Sequence, residues 1–133
     1  MSSKSSATSM RSPLGRARGY GSAKEGVNTF LAERISAVAL IPLTLWFVFS
    51  VARLPVASYG AVKHWVQAPS VAVTLVLFLA VLFYHSSLGV KVVVEDYVAG
   101  EGKKLVTLLL VKFAHAALAA AGIFAVLKIA LGG

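Results

Sequence analysis

Three apolar runs, Ile35–Ala52, Ser70–Val90 (extending toward Val94) and Leu105–Leu131, limit what this chain can fold into. Each reaches the length of about 18 residues that a helix needs to cross the hydrocarbon layer of a bilayer. A helix on a soluble domain would carry a polar face at a period of 3.6 residues, whereas here the apolar residues come in blocks. The bilayer core offers no water to peptide N–H and C=O groups, so such a segment must satisfy them internally, as a helix. The whole chain agrees: 58% of its residues are hydrophobic and 14% are charged, far from an average soluble domain. The expected fold is all-α and integral to a membrane. Helices are expected at about 30–53, 69–97 and 104–131, within one membrane domain over 26–133.

Residues 1–25 differ from the rest. They are rich in Ser, Gly and Arg and read as a basic, largely disordered tail, because they hold too little apolar surface to offset ordering. No apolar core of a secretory signal is present in them. The net charge of +8 is explained by topology rather than by nucleic acid. Lys4, Arg11, Arg16, Arg18 and Lys24 precede the first span, and Lys103 and Lys104 fall on the same side after the second; Arg53, Lys63 and Lys128 lie opposite. Basic residues stay on the cytoplasmic side, where anionic lipid headgroups attract them, so the N-terminus is expected to be cytoplasmic. Ser and Arg richness also fits a mitochondrial targeting segment, but the tail lacks that segment's apolar face. The expected location is the bacterial inner membrane, with the mitochondrial inner membrane as the alternative. The chain has no cysteine, which excludes disulfides, thiolate catalysis and a cysteine-held iron–sulfur cluster within it.

Chemistry concentrates at the end of the second span, in His85-Ser86-Ser87-Leu88-Gly89-Val90-Lys91-Val92-Val93-Val94-Glu95-Asp96-Tyr97. An ionisable group at membrane depth is expensive and marks a functional site by default. On a continuous helix the eleven-residue step from His85 to Asp96 returns to within about 20° of the same face and rises about 16 Å. Gly89, one turn after His85, clears that face for something flat. A neutral imidazole is a good axial ligand for haem iron, and a phenol beside a carboxylate at the aqueous border suits a quinone carbonyl that must collect protons.

The pattern His-x-x-x-Gly with Asp-Tyr following, the Asp eleven residues after the His, resembles the smaller membrane-anchor subunit of succinate dehydrogenase (succinate:quinone oxidoreductase). So does Gly26-Val27-Asn28-Thr29-Phe30-Leu31-Ala32-Glu33-Arg34-Ile35-Ser36-Ala37, in which an arginine opens the first membrane helix. The resemblance runs from about Pro13 to the C-terminus. It implies a three-helix anchor forming half of a two-subunit bundle. It further implies a haem b held between His85 and a histidine of a second haem-binding anchor subunit, with Arg34 toward a haem propionate. Tyr97 would be the quinone contact and Asp96 its support. Succinate oxidation would then belong to partner subunits, a flavoprotein and an iron–sulfur protein, since the sequence has no nucleotide-binding glycine motif or cluster ligands.

Other readings stay open from the residues alone. Arg34 can snorkel as an interfacial anchor, and Asp96-Tyr97 can be an ordinary helix ending. His115 rivals His85 as a ligand but has no glycine one turn on, and His64 sits in the Arg53–Pro69 segment, read as an interfacial loop. Lys112 and His115 are neighbours on one helix face and would serve a small proton-coupled transporter subunit, although no internal repeat supports one. A quinol:fumarate reductase anchor and a haem-free structural anchor are the nearer alternatives. Asn28 or Thr29 is expected to cap the first helix. Ala117, Ala121 and Ala125, with Ala114 and Gly122, form a face on which helices could approach closely.

Overall fold

In the computed structural model, which describes residues 23–55 and 58–133, the chain forms α1 (Ala23–Arg53), α2 (Tyr59–Gln67), α3 (Pro69–Tyr97) and α4 (Glu101–Ala130). The described residues contain no strand. Helices α1, α3 and α4 hold 31, 29 and 30 residues, so each is about 45 Å long and over-spans a hydrocarbon layer of about 30 Å. All three are long and apolar enough to cross a membrane. The all-α, three-span fold expected from the sequence is the one present.

Element ends differ from the expectation in three places. Helix α1 starts at Ala23, ahead of residue 30, and Asn28 and Thr29 lie inside it rather than capping it. Ala, Lys and Glu at its start are good helix formers, and an interior Asn or Thr costs only about 0.7 kcal/mol at most. Residues 1–22 of the expected tail lie outside the described residues. The return between α3 and α4 shrinks to Val98–Gly100. Gly100 takes φ +89° there, a region open to glycine at little cost, and its carbonyl accepts from the Lys104 amide at 2.9 Å to start α4.

The third difference is α2, nine residues of helix where a loop was expected. The Ser58 hydroxyl accepts from the Ala61 amide at 3.3 Å, which caps its first turn. Val62, Trp65 and Val66 then share one face at helical spacing. Val66 is buried and Trp65 stacks on Trp46 of α1 with ring centroids 6.0 Å apart. His64 is exposed. The packing of α2 against α3 and α4 places it across the end of the bundle opposite Tyr97.

Helix α3 is the centre of the arrangement. It packs against α1 on one side and α4 on the other, while α1 and α4 do not approach each other. Ala72, Leu75 and Phe78 form its buried stripe, and Phe78 stacks on Phe47 at 5.0 Å. At Gly122 of α4 a Cβ would stand 3.3 Å from Leu79 Cδ1, so α4 comes in close there. The rest of the small-residue face, Ala114, Ala117, Ala121 and Ala125, is exposed. Among the described residues only Val66, Ala72, Leu75, Phe78 and Val94 are buried apolar side chains, while Ile35, Val38, Phe113 and Phe124 stand exposed. An apolar exterior of this extent needs lipid or other helices around it.

Candidate functional site

The one polar contact between α1 and α3 is buried. Ser36, on α1, is 5% exposed, and its Oγ lies 2.8 Å from His85 Nδ1, 49 residues away in sequence. The same oxygen lies 2.7 Å from the Ala32 carbonyl and 3.1 Å from that of Glu33. A hydroxyl has one proton and a carbonyl only accepts. An O···O approach of 2.7 Å requires that proton, so Ser36 donates to Ala32. For its contact with His85 to be a hydrogen bond, Nδ1–H must then be the donor. The proton is therefore on Nδ1 and the lone pair on Nε2. No described residue bonds that Nε2, and no buried side-chain nitrogen or oxygen lacks a partner, so Nε2 reaches the molecular surface.

His115 carries the same tautomer with the opposite consequence. Its Nδ1 donates to the Val111 carbonyl at 2.8 Å, and its Nε2 accepts from the Ser86 hydroxyl at 3.1 Å. Phe83 packs edge-on against the ring at 6.3 Å. Both nitrogens are committed inside the chain. His115 is a helix-packing residue that ties α4 to α3.

Around His85 the face of α3 is open. A Cβ at Gly89 would meet nothing within 4 Å. Glycine inside a helix is unfavourable by about 0.5–1 kcal/mol relative to alanine, and no contact within this chain calls for it here, in contrast to Gly122. Because α3 runs unbroken to Tyr97, Asp96 falls on the His85 face and Tyr97 about 100° round from it. Both are exposed and neither enters an ion pair; the one pair among the described residues joins Lys91 and Glu95 at 3.8 Å.

Arg34 is not brought to His85. The Ser36–His85 contact puts it at a matching depth, about 3 Å nearer the Tyr97 end, but two residues turn about 200° around α1. Its side chain therefore leaves the helix away from α3, exposed, with the guanidinium carbon 5.0 Å over the Phe30 ring. A groove of about 630 Å³ between α3 and α4 also lies elsewhere. Its polar lining is Tyr84, Ser87, Lys91, Lys112 and His115. His85 is roughly 140° round α3 from that lining, and none of His85, Arg34, Asp96 or Tyr97 borders the groove. In the single chain His85 thus stands beside the open position of Gly89 and apart from the groove between α3 and α4. Ser36 is the residue that sequence reasoning missed: a serine in an apolar run reads as incidental until the antiparallel register pairs it with His85.

Comparison with known proteins bears on the same elements. The family model described as succinate dehydrogenase/fumarate reductase transmembrane subunit matches residues 8–125. A succinate dehydrogenase hydrophobic membrane anchor subunit of Paracoccus denitrificans is 34% identical over 120 residues, 90% of this chain and 92% of that one. The protein of the same name from Rickettsia bellii is 28% identical over 67% of this chain and 71% of its own. A match over nearly all of the three-span region, on a fold of three apolar helices, settles the family. The chain belongs to the transmembrane subunits of succinate dehydrogenase and fumarate reductase.

Proposed function

We propose that this chain is the smaller anchor of a bacterial succinate:quinone oxidoreductase, supplying one side of a haem b site and part of the quinone-reduction site. The observation that carries this is the Ser36–His85 pair, which holds a membrane-depth imidazole with Nδ1 engaged at 2.8 Å and Nε2 free beside the open face of Gly89. A neutral imidazole presented in this way would suit a haem iron. His115 is committed elsewhere and His64 lies on α2, across the opposite end of the bundle, so the second ligand would come from another chain. A haem with two imidazole ligands supplies one-electron transfer and leaves no position for oxygen.

The chain's own residues have distinct parts in this reading. His85 would hold the haem iron through Nε2. At the Tyr97 end, on the cytoplasmic side by the distribution of basic residues, the Tyr97 hydroxyl donates to a quinone carbonyl and Asp96 orients it and passes protons. Arg34, exposed and without an ion pair among the described residues, would meet a carboxylate from outside the chain's own helices, and a haem propionate is the carboxylate the family resemblance suggests. Arg34→Ala should lower quinone reductase activity or shift the haem potential, and wild-type behaviour in both assays would reduce Arg34 to an interfacial anchor.

The relatives carry the name of succinate dehydrogenase, which favours succinate oxidation over the fumarate-reducing direction. Purifying the tagged chain in a mild detergent tests the assembly. A flavoprotein, an iron–sulfur protein and a second small anchor should come with it, and a chain that purifies without them is not an anchor of this kind.

A further inference from the structure

We infer that Ser36 is a positioning residue for the haem, acting through His85: it fixes the imidazole tautomer and ring plane, and it tunes the iron. The inference rests on His85 being an axial ligand. Ser36 Oγ accepts from Nδ1–H at 2.8 Å while its own proton is held by the Ala32 carbonyl at 2.7 Å. The hydroxyl is thereby oriented before any ligand arrives, and its lone pair, not its proton, faces the ring. This presents Nε2 as the lone-pair nitrogen, the form that ligates metal.

Outer partners of this kind orient the imidazole and strengthen it as an electron donor to a metal. A stronger donor favours ferric over ferrous iron, so Ser36 would hold the haem potential down. Burial makes the contact specific. Ser36 is the one buried polar residue among those described, and it sits on α1, so the ligand on α3 is aligned only when the two helices are docked in this register. The first span thus contributes to the iron site without touching the iron.

Threonine and valine at position 36 have nearly the same shape and differ in the hydroxyl, so the pair isolates the proposed bond. In the purified complex, Ser36→Thr should keep the wild-type midpoint potential and low-spin ferric resonance. Ser36→Val should move the potential in the positive direction, shift the highest g-value as the ring plane is released, and release haem to excess apomyoglobin faster by at least about tenfold. If Val impairs assembly, Ser36→Ala gives the same readout with a smaller side chain. Thr and Val variants that both match wild type, or that deviate equally, would overturn the role of the hydroxyl. A wild-type haem spectrum in His85→Ala is a different failure, because it removes the ligand assignment on which the inference stands.

Discussion

His85→Ala should remove the reduced haem b bands from the assembled complex, or replace them with the spectrum of a five-coordinate, high-spin haem. Of the two histidines in the membrane spans, only His85 has a ring nitrogen that no described residue bonds. If it ligates the iron, deleting its imidazole would take away one of the two strong-field ligands that a low-spin bis-histidine centre requires. His115→Ala is the control. It breaks the bonds to Val111 at 2.8 Å and Ser86 at 3.1 Å, each worth about 1 kcal/mol net. It should therefore loosen the contact between α3 and α4 while leaving the haem spectrum intact. Loss of the spectrum in His115→Ala with retention in His85→Ala would transfer the site to the other face of α3.

Tyr97→Phe should separate quinone reduction from succinate oxidation. The substitution keeps the ring and removes the hydroxyl of a residue that is 83% exposed, so folding has little to lose. One hydrogen bond to a neutral carbonyl contributes about 0.5–1.5 kcal/mol, or about two- to tenfold in quinone affinity. Reduction to the quinol also takes up two protons, and losing the group that delivers them would depress turnover further. Assembly, haem content and dye-linked succinate oxidation should be unchanged while quinone reduction falls by about tenfold or more. Asp96→Asn keeps the shape of its side chain and removes the charge, and should give a milder loss with an altered pH profile. Normal quinone reduction in both variants would leave Asp96-Tyr97 as a helix ending and place the pocket on other chains.

The spans and the His85 face were legible because both rest on local rules. Bilayer thickness fixes the length of an apolar run, and helical pitch fixes which residues share a face. The end of α3 at Tyr97 follows from the polar Glu95-Asp96 step. The short helix α2 was not legible: its stability comes from the Trp65–Trp46 stack and the burial of Val66, contacts across the bundle that spacing along the chain does not encode. Ser36 was hidden for the same reason. Its partner is 49 residues away, and a helix register must be known before the two are seen to meet. The direction in which Arg34 leaves α1, away from α3, depends on that register too. The alanine face of α4 shows the reverse: the small-residue pattern was readable, but its alanines stay exposed and the close contact is at Gly122.

Whether one haem is shared between His85 and a second anchor can be read from the redox difference spectrum of the affinity-purified complex, taken together with its haem-to-protein ratio. Sharp reduced b-type bands and one haem per copy of this chain are expected, in a preparation containing the flavoprotein, the iron–sulfur protein and a second anchor. A fully assembled complex with no haem would contradict that sharing and leave the chain a structural anchor.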